Sequence, residues 1–136
     1  MTDAVTDAPT QQTAEAEVTA VVVAMYRALG DRAAFDAHLH PEITIWESDA
    51  DALLHGLTAL DELRDVRRER GADGPAPTSV GPEEIRADVW GDVAVVRYLL
   101  RATFPAPTAD ERFRVTDVLR REQTWRIVHH HAEKLA

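Results

Sequence analysis

The chain has 136 residues, 45% of them hydrophobic and 29% charged, which is enough apolar material for one domain to bury its own core. A formal net charge of -9 lacks the electrostatic footprint of a nucleic-acid binder and predicts repulsion from anionic membranes. The absence of cysteine excludes disulfides, thiolate metal sites and cysteine nucleophiles.

Met1 to Asp7 is acidic and does not resemble a signal peptide, and no stretch is apolar enough to span a bilayer, so a cytoplasmic protein is expected. Residues 1–12 read as a disordered tail, rich in Thr, Asp, Gln and Ala, ahead of a single domain over 13–136. From Thr13, the spacing of Val18, Val21, Val22, Met25 and Leu29 predicts a first helix stopped by Gly30. Asp31 can cap a short second helix carrying Phe35 and Leu39, and Pro41 forces the chain into extended geometry.

Ile43 to Glu47 reads as a strand with Ile43, Ile45 and Glu47 on one face, and Ala52 to His55 can return beside it. Thr58 and Asp61 have the spacing of a capping box for a third helix bearing Leu60, Leu63 and Val66 and closed by Gly71. Gly71 to Pro77 reads as a surface loop. Antiparallel strands follow over Glu83–Trp90, Val93–Phe104, Glu111–Arg121 and Trp125–Lys134. Helices first and strands later predict an α+β fold with the helices on one face of a long curved sheet. There is no internal repeat, phosphate-binding glycine loop or Gly-x-Ser-x-Gly elbow.

The final strands carry the chemistry. Asp117 lies in phase with Phe113, Val115 and Leu119, and strict alternation along the last strand points His129 and His131 inward as well. A charged group among apolar ones either lines a ligand pocket or satisfies a neighbour structurally, and both readings stand at this point. Tyr98 and Phe113 share the inward phase with Ala94, Val96, Leu100 and Ala102, as cavity lining or as core. The opposite phase interleaves Trp90, Val93, Val95, Leu99, Val118 and Val128 with six arginines, a composition suited to a protein interface, and a homodimer through that face is expected.

Leu29-Gly30-Asp31, Phe35, His40-Pro41-Glu42-Ile43-Thr44-Ile45, Gly56 opening a helix, Arg114-Val115-Thr116-Asp117-Val118 and Trp125 to His131 together resemble the nuclear-transport-factor-2-like superfamily. Within it, the chain is most similar to SnoaL-like polyketide-cyclase and ketosteroid-isomerase-like proteins. The resemblance implies a cone-shaped fold, three N-terminal helices packed on a curved, mostly antiparallel sheet, around a pocket for a small apolar metabolite. It places Glu47 at the ketosteroid-isomerase general base and Asp117 at the acid that donates to the substrate oxyanion. The tyrosine of that pattern falls on Met25, with Tyr26 one position away.

Glu47 and Asp117 facing one cavity can divide into base and acid, with His131 and His129 as hydrogen-bond partners or proton shuttles. The expected function is binding, with isomerisation, cyclisation or dehydration of a carbonyl-containing ligand through Glu47, Asp117 and His131, and with Tyr26, Tyr98, Phe113 and His129 as ligand contacts. The alternative is a non-catalytic binding or association module. Two histidines at i, i+2 can also grip a metal with Glu47 or Asp117, but the resembling families mostly work without one, and neither metal nor other cofactor is expected.

Overall fold

In a computed structural model that describes residues 3–71 and 76–136, with residues 3–10 by backbone alone, helix α1 (Asp3–Arg27) buries Val18, Val22, Met25 and Tyr26. These positions recur every three or four residues and form one stripe. The helix starts at Asp3 and not at Thr13, taking in Pro9 and the polar residues around it. Gln11, placed in the expected tail, donates to the Val89 carbonyl at 2.7 Å. Met1, Thr2 and the side chains through Thr10 of that tail lie outside the described residues.

Gly30, at φ +98°, turns the chain out of α1. Asp31 then accepts from the Ala34 amide at 3.1 Å and caps α2 (Arg32–Asp36). Strand β1 (Leu39–Trp46) starts before Ile43, and Pro41 falls within its irregular stretch, where no ladder donor is required. After β2 (Leu54–His55), α3 (Gly56–Gly71) begins at Gly56, at φ +86°, ahead of Thr58. The expected capping box is therefore inside the helix, and Asp61 instead accepts from Arg64 at 3.1 Å. The expected loop over Gly71–Pro77 falls mainly on residues 72–75, outside those described.

Strands β3 (Ser79–Trp90), β4 (Val93–Thr103), β5 (Glu111–Arg121) and β6 (Trp125–Lys134) complete a six-stranded sheet in the order β2-β1-β6-β5-β4-β3. Only β1 and β6 run parallel. β3 reaches back through Gly81 and Pro82 to Ser79, further than expected, because it is an edge strand and a proline there need not donate inward. The helices cover one face, where Ile43, Ile45, Ala94, Val96, Leu119 and Ile127 are buried. Among the described residues, no helix is long and apolar enough to cross a membrane.

Between β5 and β6 the register slips: Val118 faces His129, but Leu119 faces Ile127, so Val128 is the extra residue of a β-bulge. Trp125 and Ile127 point inward before the bulge, and His130 and Ala132 line the helix-covered side after it. The inward phase expected for His129 and His131 is thereby overturned.

Leu119 sits at the bulge with no exposure, whereas Val93 is 41% exposed on the other face. Leu119→Ala should cost about 2–5 kcal/mol and Val93→Ala about 0.5 kcal/mol or less in denaturant unfolding, and equal costs would contradict this strand phase.

Candidate functional site

One row across the sheet builds the site. Ile45 of β1 pairs with His130 of β6, His130 with Asp117 of β5, and Asp117 with Val96 of β4. All four side chains share the helix-covered face, so the sheet itself sets Asp117 beside His130. Tyr98, two residues along β4, and Tyr26, from the last turns of α1, extend the polar line under the helix.

The resulting chain of hydrogen bonds is continuous. Tyr98 donates to Asp117 Oδ2 at 2.5 Å, His130 Nδ1 meets Asp117 Oδ1 at 2.5 Å, and the hydroxyls of Tyr26 and Tyr98 are 2.7 Å apart. Since the Tyr98 proton goes to Asp117, Tyr26 is the donor to Tyr98. Asp117 is completely buried, and among the described residues no buried side-chain polar atom lacks a partner. Burial, and after it the Asp117 charge, push both phenols well above their ordinary range, so they remain neutral donors.

Burial disfavours a charge on His130, but the charge and hydrogen bond of Asp117, reinforced by Glu47, outweigh it and raise its pKa. His130 Nε2 lies 3.9 Å from Glu47 Oε1. The other Glu47 oxygen, Oε2, sits 3.4 Å from Arg67 Nη2, and Arg67 forks onto Asp49 with contacts of 2.9 and 2.8 Å. The hydrogen bonds from Arg67 hold the Asp49 carboxyl below its usual range.

These groups border a cavity of about 430 Å³ whose walls are otherwise mainly apolar, including Met25, Phe35, Ile43, Leu60 and Phe113. Tyr26, Glu47 and Phe113 line it. Asp117 and Tyr98 do not border it: they stand behind His130 and Tyr26, with both Asp117 oxygens engaged. Asp117 is thus not placed to donate to a ligand oxyanion.

His129 and His131 are on the opposite face, His129 bonded to Thr44 Oγ1 at 2.7 Å and His131 exposed against Trp46 at a ring separation of 6.0 Å. The bulge at Val128 turns them there, so neither contacts the cavity, and Asp117 is on the wrong side to join them around a metal. Among the described residues, no group of three or more His, Asp or Glu is placed to hold a metal ion.

His130, Arg67 and Asp49 are the site residues that alternation does not reveal. Three consecutive histidines guarantee that one faces inward whatever the phase. Arg67 lies seven residues after Leu60, on the same face of α3, which is a readable signal.

Residues 18–132 match the SnoaL-like domain family. Among solved structures, an NTF2-like protein of unknown function from Pseudomonas putida superposes with a TM-score of 0.75 at 19% identity, covering 90% of this chain and 87% of that one. A ketosteroid isomerase-like protein from Erwinia carotovora atroseptica gives 0.69 at 17% identity, covering 90% and 96%. The CaMKII hub of S. rosetta gives 0.71 at 22% identity, covering 89% and 96%. At these identities the structures establish a shared fold. No curated protein matches the chain.

Folding favours the His130 imidazolium, because its pKa is raised in the folded state. Its contribution to stability is therefore complete below the ordinary histidine value of 6.5 and is lost as pH rises through the raised value. Thermal unfolding of the wild type across pH 6 to 9 should show this loss, and His130→Gln should remove it. Parallel pH curves for the two proteins would show that the pair does not couple protonation to folding.

Proposed function

Because the chain belongs to the SnoaL-like domain family, we propose that it binds a small, apolar, carbonyl-bearing metabolite and transfers a proton next to the carbonyl, as in an isomerisation, cyclisation or dehydration. The supporting observation is the facing of His130 Nε2 and Glu47 Oε1, 3.9 Å apart, on the wall of an otherwise mainly apolar cavity. A dry pocket with a few convergent polar groups is where a proton donor and acceptor are most effective.

Glu47 is the base. Arg67 holds one of its oxygens and leaves the other toward the ligand. His130 is the acid: its Nε2 proton is directed at the ligand oxygen, while Asp117 fixes the ring through Nδ1 and stabilises the imidazolium. Asp117 is a positioning residue, and Tyr98 and Tyr26 complete its hydrogen bonding from behind. Met25, Ile43, Leu60 and Phe113 supply the apolar contact for the ligand body.

A second reading, an association module, is favoured by the other sheet face. Trp90 is 62% exposed there and Trp46 47%. Its arginines are partly offset in place, with Arg97 and Arg86 sharing Asp88 at 3.0 and 3.3 Å, which lessens the like-charge repulsion between two copies. A homodimer through this face is compatible with a ligand pocket on the opposite one.

In deuterated water, the protein should accelerate exchange of the protons α to the carbonyl of 2-tetralone, and Glu47→Gln and His130→Gln should each slow the exchange by about a hundredfold or more. Exchange at the buffer rate in the wild type would end the catalytic reading. Sedimentation should give a dimer that Trp90→Glu converts to monomer, and a monomeric wild type would end the assembly reading.

A further inference from the structure

We infer that Asp49 is a positioning residue for Glu47: it occupies the bonding fork of Arg67, so that the guanidinium touches one oxygen of the base and leaves Oε1 free to take a ligand proton. This rests on Glu47 being the base proposed above.

Three charged groups meet at the end of β1. Glu47 directly follows the strand, and the Ala50 amide donates to the Glu47 carbonyl at 3.3 Å, a turn that returns Asp49 to the same cavity wall. Arg67 reaches both carboxylates from α3, but its contacts with them are unequal. Nε donates to Asp49 Oδ2 at 2.9 Å and Nη2 to Oδ1 at 2.8 Å, a side-on fork. Glu47 Oε2 lies 3.4 Å from Nη2. Nη1 takes no part in the fork on Asp49.

A guanidinium has a second fork, end-on, made by Nη1 and Nη2, which fits a carboxylate as well as the first. Released from Asp49, Arg67 would turn that fork onto both Glu47 oxygens. Glu47 is the less exposed acid, 15% against 42% for Asp49, so water screens its attraction for the cation less. A carboxylate bonded through both oxygens to a cation has lost the free lone pair and the basicity that proton abstraction needs. Asp49 prevents this by holding Arg67 side-on.

The hydrogen bond to Asp49 comes first among the influences on Arg67 and, with the Glu47 charge behind it, outweighs burial and raises the guanidinium further above its ordinary range. Arg67, and more weakly the Arg70 charge, hold Asp49 ionised in return. Ser48, between the two acids on the same wall, is neutral and cannot take the place of either. His130 reads the balance from the other side of the cavity. Besides burial and Asp117, the Glu47 charge raises its pKa and the Arg67 charge lowers it.

A double-mutant cycle on Asp49 and Arg67 tests this, with α-proton exchange of saturating 2-tetralone in deuterated water as the readout. The two side chains are 42% and 39% exposed, so neither substitution opens the core. Asp49→Asn should slow exchange about tenfold or more and leave the affinity for 2-tetralone within about twofold. Arg67→Gln should change sign with background. In the native protein it should slow exchange, by removing the support of Glu47, and in the Asp49→Asn protein it should speed exchange about fivefold or more, by releasing the base. An ion pair that only steadies the turn predicts slowing in both. NMR titration of His130 without ligand gives a second readout: Asp49→Asn should lower its midpoint, and Arg67→Gln should raise the midpoint more in the Asp49→Asn background than in the native one. Wild-type exchange with Arg67→Gln slowing both backgrounds would overturn the role of Asp49 and leave Glu47 as the base. A wild type without exchange would end the catalytic reading, and the His130 midpoints then decide on the fork: equal effects of Arg67→Gln in the two backgrounds overturn it too, and a larger effect in Asp49→Asn upholds Asp49 as the group that keeps Arg67 off Glu47.

Discussion

A carboxylate without solvent contact dominates this structure. Asp117 lies at the centre of the sheet with no exposed surface, and an unpaired charge there would cost several kcal/mol. Tyr98 on one oxygen and His130 on the other offset that cost. Both partners must be on the helix-covered face, on strands flanking β5, and at fixed register. Removing the bulge would turn His130 away and leave the carboxylate half satisfied. Stability and site geometry are thus one constraint.

From that constraint the site inherits its polarity. Held through Nδ1, His130 presents only Nε2 to the cavity, and the tyrosines spend their protons inward along the line Tyr26, Tyr98, Asp117. The polar line is directed into the protein, and the cavity receives the one nitrogen that the line does not consume. Opposite that nitrogen, Glu47 comes from the end of β1 and is held by Arg67 of α3. The sheet supplies one side of the chemistry and a helix steadies the other. The α2–α3 contact, where Arg64 binds Asp36 at 2.7 Å and lies 5.4 Å over the Phe35 ring, keeps the apolar wall in place.

The other face of the sheet follows different rules. Arg86 and Arg97 are directly opposed across β3 and β4, a like-charge pair that is unfavourable alone, and Asp88 between them accepts from both. Arg101 is matched by Asp110 at 2.9 Å and Arg114 by Glu133. Exposed pairs of this kind add little to stability individually. Their effect is to leave a surface patterned with charge but nearly balanced locally, in which Trp90, Val93 and Trp46 stand out as apolar.

Much of this was legible in the residues. The α+β order, the limits of β5 and β6, the Asp31 cap, the burial of Asp117 and the inward phase of Glu47 and Phe113 follow from local periodicity and turn chemistry, because helical and strand periods are properties of the chain itself, whereas Tyr26 was singled out by the family resemblance. The start of α3 at Gly56 was legible, but the Thr58–Asp61 spacing was not a capping box, since a glycine at positive φ opens the helix ahead of it. What periodicity could not supply was the identity of the inward histidine. A bulge is set by how one strand must pair with its neighbour, here Leu119 with Ile127 and Val118 with His129, and a single inserted residue exchanges the two faces beyond it. The same holds for the retreat of Asp117 and Tyr98 behind the cavity wall and for the meeting of Arg67, Asp49 and Glu47. The chain alone determined which side chains share a face. Only packing between distant segments decided which of them touch, because those distances depend on register and helix placement and not on spacing along one strand.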